Sequence, residues 1–271
     1  MHRMRSLISL LGALGLALSL SSTAHAQVVV WNGSGAYDYW STGANWVAAH
    51  SPANNGAVTV QFAGSTRLSP IVDYSWSIAG LAFNSGASAF TLDGSTLTIG
   101  SGGITNNSTN LQTVNNSVTL GAAQTLSAAA GDLTVGGSGS VDNKGFTLTV
   151  DAALDTTLAL PGSVYGMGGL TKTGDGIVNI GYSINDGDSI TGAVQVLGGT
   201  LYIGGELRTS GRLTISSGAN FQTNNYGAGL SVGSLAGGAH SPWTASWLWA
   251  ATIPARHFPA RSAMVSTMPR L

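Results

Sequence analysis

The sequence predicts an all-β chain, a solenoid of short stacked rungs with an aromatic-rich cap at its N-terminal end. Three observations carry this expectation. Short runs recur in which an apolar residue alternates with Thr or another small residue. Gly, Asn, Asp and Ser punctuate them, and no segment beyond residue 26 shows a helical period. Alternation puts apolar side chains on one face and hydroxyls on the other. One such strand cannot bury its apolar face, whereas a stack of many can.

Residues 1–26 are expected to be a cleaved secretory signal. Arg3 and Arg5 form a basic start, Leu7 to Leu20 is an apolar run, and Ala24-His25-Ala26 is a small-x-small cleavage site, which leaves Gln27 as the first mature residue. The run is short for a bilayer core of about 30 Å, so no integral membrane segment is expected after cleavage. The expected location is extracellular or at the cell surface, and periplasmic if no translocator is supplied. The chain has no cysteine, so core packing and backbone hydrogen bonds must stabilise it without disulfides.

Residues 27–84 read as a cap with the first rungs. Trp31, Tyr37, Tyr39, Trp40, Trp46 and Trp76 fall here, and Val58–Phe62 and Ser77–Phe83 alternate as strands. The large rings suit the closing of a stack's open end. Trp31, Trp40 and Trp46 also offer a second reading, as rings that stack on a glycan.

Residues 85–238 read as the solenoid body. Strands are expected at Leu97–Ile99, Val118–Leu120, Leu133–Val135, Phe146–Val150, Ile177–Ile180, Leu201–Ile203 and Leu213–Ile215. Single Leu, Val or Ile residues flanked by glycine imply a core too narrow for a sandwich. Rungs of roughly 20 residues at about 4.8 Å each give a rod on the order of 45 to 50 Å.

The segment 166–201 carries a motif. Gly168, Gly169, Leu170, Thr171, Lys172, Thr173, Gly174 and Gly176 lead into a short strand. Ile190 to Val196 and then Gly199, Thr200 and Leu201 complete it. This resembles the autotransporter-associated β-strand repeat, over about 35 residues and with one full copy. Tyr182 to Asp188 departs from that pattern, replacing its usual central turn. The resemblance implies a right-handed parallel β-helix from the passenger region of a secreted or surface-displayed protein, serving as a structural or adhesin-type element. It also implies a translocator barrel, and no series of long amphipathic strands follows the repeat.

The last 33 residues, 239–271, differ in kind. They contain no glycine and no acidic residue, yet hold Trp243, Trp247, Trp249 and four of the seven prolines. Back-translated and read one base earlier, this stretch permits a glycine-rich continuation of the repeat pattern. We therefore expect a frameshift near Gly238 to Ser241 and a disordered, aberrant tail on a truncated passenger.

Little in the chain points to chemistry. All eleven acidic residues lie between Gln27 and Gly238, against five basic ones there, so nucleic acid is not an expected partner. A cell-surface glycan or protein is the kind of partner that remains. His50 stands alone in its loop, and no Gly-x-Ser-x-Gly elbow surrounds a serine. Asp151 with Asp155, and Asp175 with Lys172, are the local candidates for a β-helix polysaccharide lyase or hydrolase. Asn185 to Asp188 and Gly136 to Asp142 hold oxygen ligands but lack the spacing of a calcium loop. No cofactor and no catalytic activity are expected.

Overall fold

The computed structural model describes residues 27–181, 190–223 and 230–237, and within them the chain is a parallel β-solenoid. Its longest sheet runs through ten strands: Gln27–Trp31, Val58–Phe62, Trp76–Phe83, Leu97–Asn106, Gln124–Ala128, Leu148–Ala152, Leu170–Thr173, Val194–Val196, Leu207–Ile215 and Leu230–Gly237. A second sheet stacks eight: Ile71–Val72, Thr91–Gly94, Gln112–Val114, Leu133–Val135, Thr157–Leu160, Ile177–Ile180, Thr200–Ile203 and Asn220–Thr223. A third lane is shorter. Val118–Leu120, Val141–Asp142 and Val164–Tyr165 stack upon the leading part of Leu97–Asn106.

Each turn of the coil visits the second, third and first lanes in that order. Where one strand serves both the third and first lanes, its register shifts, between Ile78 and Gly80 and again between Thr209 and Arg212. These bends turn the corner without ending the strand. Three-residue strands such as Gln112–Val114 and Leu133–Val135 suffice because each has a partner on both sides.

The interior is a set of columns. Val60, Leu81, Ile104, Leu126, Val150, Lys172, Val196 and Ile215 follow one another as register partners along the long sheet. Partners lie 19 to 24 residues apart in sequence, with Val196 to Ile215 the shortest step and Leu126 to Val150 among the longest. The aliphatic members of the column are buried. A second column runs Gln124, Leu148, Leu170, Val194 and Leu213. Its first member is an amide: the Gln124 nitrogen and oxygen are both buried and without a hydrogen-bond partner.

Buried asparagines hold the corners. The Asn106 amide donates to the carbonyls of Asn110 (3.0 Å) and Asp132 (2.8 Å), and its oxygen accepts from the Ser108 N–H (2.8 Å). Asn143 accepts from Gly145 (3.1 Å) and from Gly168 in the next rung (2.9 Å). Carbonyls and N–H groups at a turn would otherwise be buried without partners, at about 1–3 kcal/mol each.

The N-terminal end is closed by aromatic rings. Trp31 and Trp46 meet edge to face at 5.1 Å, Trp40 and Trp46 at 5.6 Å, and Phe62 packs on Phe83 and Phe90 at 5.5 and 5.0 Å. Trp76–Phe83 pairs with Leu97–Asn106 as any rung pairs with the next, so the cap region joins the body through a continuous ladder.

The expected strand from Phe146 begins later, at Leu148. A tight turn closes at Phe146, whose N–H donates to the Asn143 carbonyl (2.7 Å), and the Phe146 ring is left exposed. Residues 1–26, expected to be a secretory signal, and the tail from residue 239 lie outside the described residues.

Two substitutions test the columns. Leu126→Ala should lower unfolding stability by about 2–5 kcal/mol, because a column held by both neighbours cannot collapse around the gap. Gln124→Leu should raise it by about 1–3 kcal/mol, since an apolar side chain removes two unpartnered buried polar groups. Urea unfolding followed by the β-sheet circular dichroism signal measures both. A neutral Leu126→Ala would place that side chain outside the core.

Candidate functional site

The repeat motif forms a corner between the first and second sheets. Leu170–Thr173 lies in register between Leu148–Ala152 and Val194–Val196, so Leu170 and Lys172 point inward while Thr171 and Thr173 point out. Lys172 therefore occupies a place in the aliphatic column, and it is fully buried. Its stem packs where neighbouring rungs carry Val150 and Val196, and its ammonium reaches the turn that follows. The Nζ donates to the carbonyls of Thr173 (2.5 Å), Gly174 (2.7 Å) and Gly198 (3.2 Å), tying two successive corners together. Burial lowers its pKa from the usual lysine value, with Asp151 and Asp175 opposing that shift.

The glycines of the motif are fixed by how closely rungs approach. Gly174 has φ +72°, and a Cβ there would stand 2.2 Å from the Ala152 carbonyl oxygen. Gly199 takes the same role one rung later, with φ +56° and 2.3 Å to the Gly176 oxygen. Side chains at Gly168 and Gly176 would strike the carbonyls of Phe146 and Ala153, and one at Gly169 that of Ala193. Thr200 opens the next strand by donating its N–H to Gly176, and Leu201 is buried between Val178 and Phe221.

Outside, the motif continues as a polar ladder. Thr171 stands between Thr149 and Gln195. Asp151 accepts from Thr173 Oγ1 (2.8 Å) on one side and Ser127 Oγ (2.9 Å) on the other. The carboxylate is thus engaged by hydroxyls of both neighbouring rungs. Asp155 sits exposed in a left-handed turn position at φ +63°. Asp175 is exposed at the repeat corner, and His50 Nδ1 contacts the Ser51 carbonyl (3.3 Å) in an exposed loop. The residues weighed for acid–base chemistry are not brought together as a carboxylate pair with an open amine: the Lys172 ammonium faces carbonyls inside the coil.

Asp142 is nearly buried and ion-paired with Lys144 (2.8 Å), while its other oxygen accepts from the Lys144 N–H (2.9 Å). Asn185 to Asp188 lies outside the described residues. Among the described residues there is no cluster of three or more metal-ligating His, Asp or Glu side chains. A shallow open groove beside the hydroxyl ladder is lined by Ser101, Ala123, Gln124, Thr125, Thr147 and Thr149.

The stacking role considered for the three tryptophans does not hold. Trp31, Trp40 and Trp46 are between 0% and 1% exposed, enclosed by one another, Phe62 and Trp76, so none presents a face to a ligand. Sequence alone could not separate Trp40 and Trp46 from the neighbouring tyrosines, because these lie between strands without a clean period, and Trp31 closes a strand whose inward face the sequence did not mark. Lys172 was more legible. The alternation Leu-Thr-Lys-Thr puts it on the same side as Leu170, an unusual place for an amine.

Comparison with family models, with curated proteins and with solved structures finds no match for this chain. Among the described residues no helix is long and apolar enough to cross a membrane.

Lys172→Met keeps the column filled but removes the donor from three corner carbonyls, and should cost about 1–3 kcal/mol of stability. A pH series adds an independent reading. The unfolded chain holds the lysine proton up to about 10.5, whereas the folded chain loses it lower. Wild-type stability relative to the Met variant should therefore rise with pH between the lowered folded value and 10.5. A difference that is flat across that interval would show that folding does not lower the lysine's pKa.

Proposed function

We propose that this chain is a secreted or surface-exposed structural element, a passenger-type β-helix that acts as a stalk or adhesion surface and has no catalytic activity of its own. One observation carries the reading: the long sheet keeps parallel register through ten strands, and the polar side chains of the motif hydrogen-bond along it. Lys172, Asp151, Asn106 and Asn143 each bind groups of the fold, where an enzyme would leave such groups facing a cleft. The motif at 166–201 and its resemblance to the autotransporter-associated repeat add secretion and display to the proposal.

A stalk works by stiffness. Backbone ladders that pair each rung on both sides resist local opening, because unzipping one rung exposes the columns of two. The ten strands span about 43 Å at roughly 4.8 Å per step.

Expression of the full chain in a bacterial host tests the reading. Antibody labelling of intact cells and culture medium should find it outside the cytoplasm, and scattering from the purified protein should give a rod whose body matches that length. Cytoplasmic retention would remove the display role. Cleavage of pectin or alginate by the protein would replace the structural reading with a lyase or hydrolase.

A further inference from the structure

The tryptophans turn inward, but two tyrosines beside them do not. Tyr37 and Tyr39 are 66% and 43% exposed, and their rings stack with centroids 6.0 Å apart and planes inclined by only 20°. Together they form a parallel-stacked aromatic pair at the capped end, with much of each ring open to solvent. Nothing in the core requires these rings, and leaving two aromatic faces in water is unfavourable.

The backbone beneath them is held in place. Asn45, fully buried, donates through Nδ2 to the carbonyl of Tyr37 (2.7 Å) and to that of Tyr39 (3.0 Å), while its oxygen accepts from Gly35 (2.8 Å). The segment is also clipped to the second sheet: Ile71 donates to the Asp38 carbonyl (2.8 Å) and Trp40 to that of Ile71 (2.9 Å). A ligand stacking on these rings would not have to order the loop. Between the tyrosines, Asp38 pairs with Arg67 at 2.5 Å, and both side chains remain partly exposed. That pair offers an acceptor and several donors one residue along the chain from each tyrosine, with no net charge.

We propose that Tyr37 and Tyr39 are a stacking platform for a neutral glycan whose pyranose rings present a flat C–H face, with the Asp38–Arg67 pair bonding its peripheral hydroxyls. The apolar face of such a ring matches an aromatic plane, and its equatorial hydroxyls reach outward to flanking polar groups. A charged glycan would find no excess of either sign. A protein partner would be expected to anchor its aromatic contacts in a desolvated pocket, and these rings stand open on the surface. The site goes beyond the stalk reading and does not depend on it.

Binding of the purified protein to an array of neutral oligosaccharides, followed by titration of the best ligand, tests the platform. Tyr37→Ala with Tyr39→Ala should weaken binding at least tenfold while leaving the unfolding midpoint and β-sheet signal unchanged. Tyr37→Phe should stay within about threefold of wild type, since stacking needs the ring and not its hydroxyl. Phe146→Ala, an exposed ring on a remote rung, should bind as wild type does. The proposal is overturned if the wild type binds no neutral glycan at millimolar concentration, if the double variant binds unchanged, or if the tyrosines prove necessary only for capturing a protein.

Discussion

Each rung of this solenoid is hydrogen-bonded through its backbone to the rungs on either side, so adjacent rungs lie about 4.8 Å apart all around the coil. That single spacing governs the rest. Side chains of one rung must rest directly on those of the next, which produces the inward columns headed by Val60 and Gln124. At the corners the backbone itself must approach the preceding turn, and there a Cβ at Gly174 or Gly199 would collide with a carbonyl. Corner carbonyls turned inward need donors, and the Lys172 ammonium and the Asn106 amide supply them. Glycine, lysine and asparagine therefore answer one geometric demand in three ways.

The strands were the legible part of the sequence. Runs such as Val118–Leu120 and Leu133–Val135 alternate cleanly, and their limits match the folded chain. Gln112–Val114 and Gln124–Ala128 were harder to read, because an amide replaces the apolar residue that marks a strand. Phe146 misled for a different reason: the turn closed by its own N–H outweighs the apolar preference of its ring. In the aromatic region the sequence reveals composition without direction. Whether a ring faces core or water depends on contacts such as Trp46 with Trp31 and Trp40, which join a strand end to the long connection that follows it.

The same spacing explains why the motif at 166–201 identifies architecture more readily than activity. Several of its polar groups bind the fold itself. Asp151 bridges Ser127 and Thr173, and Lys172 bridges two corners. Other surface groups lie in loops that the repeat pattern does not constrain. The cap differs from the body in this respect, because its loops are longer and carry side chains that the columns do not consume.

The closed aromatic end also gives the molecule a direction of assembly. The strand Gln27–Trp31 and its partner Val58–Phe62 are complete before any later rung exists on the growing chain. Thereafter each new rung needs only the one just made, a loop of about two dozen residues whose closure entropy is nearly the same at every step. Lengthening such a chain adds no more distant contact than the last rung required, so its folding remains a local problem at any length. Bulky rings terminate one face of the template and leave addition to proceed from the other, in the order in which a ribosome delivers the residues.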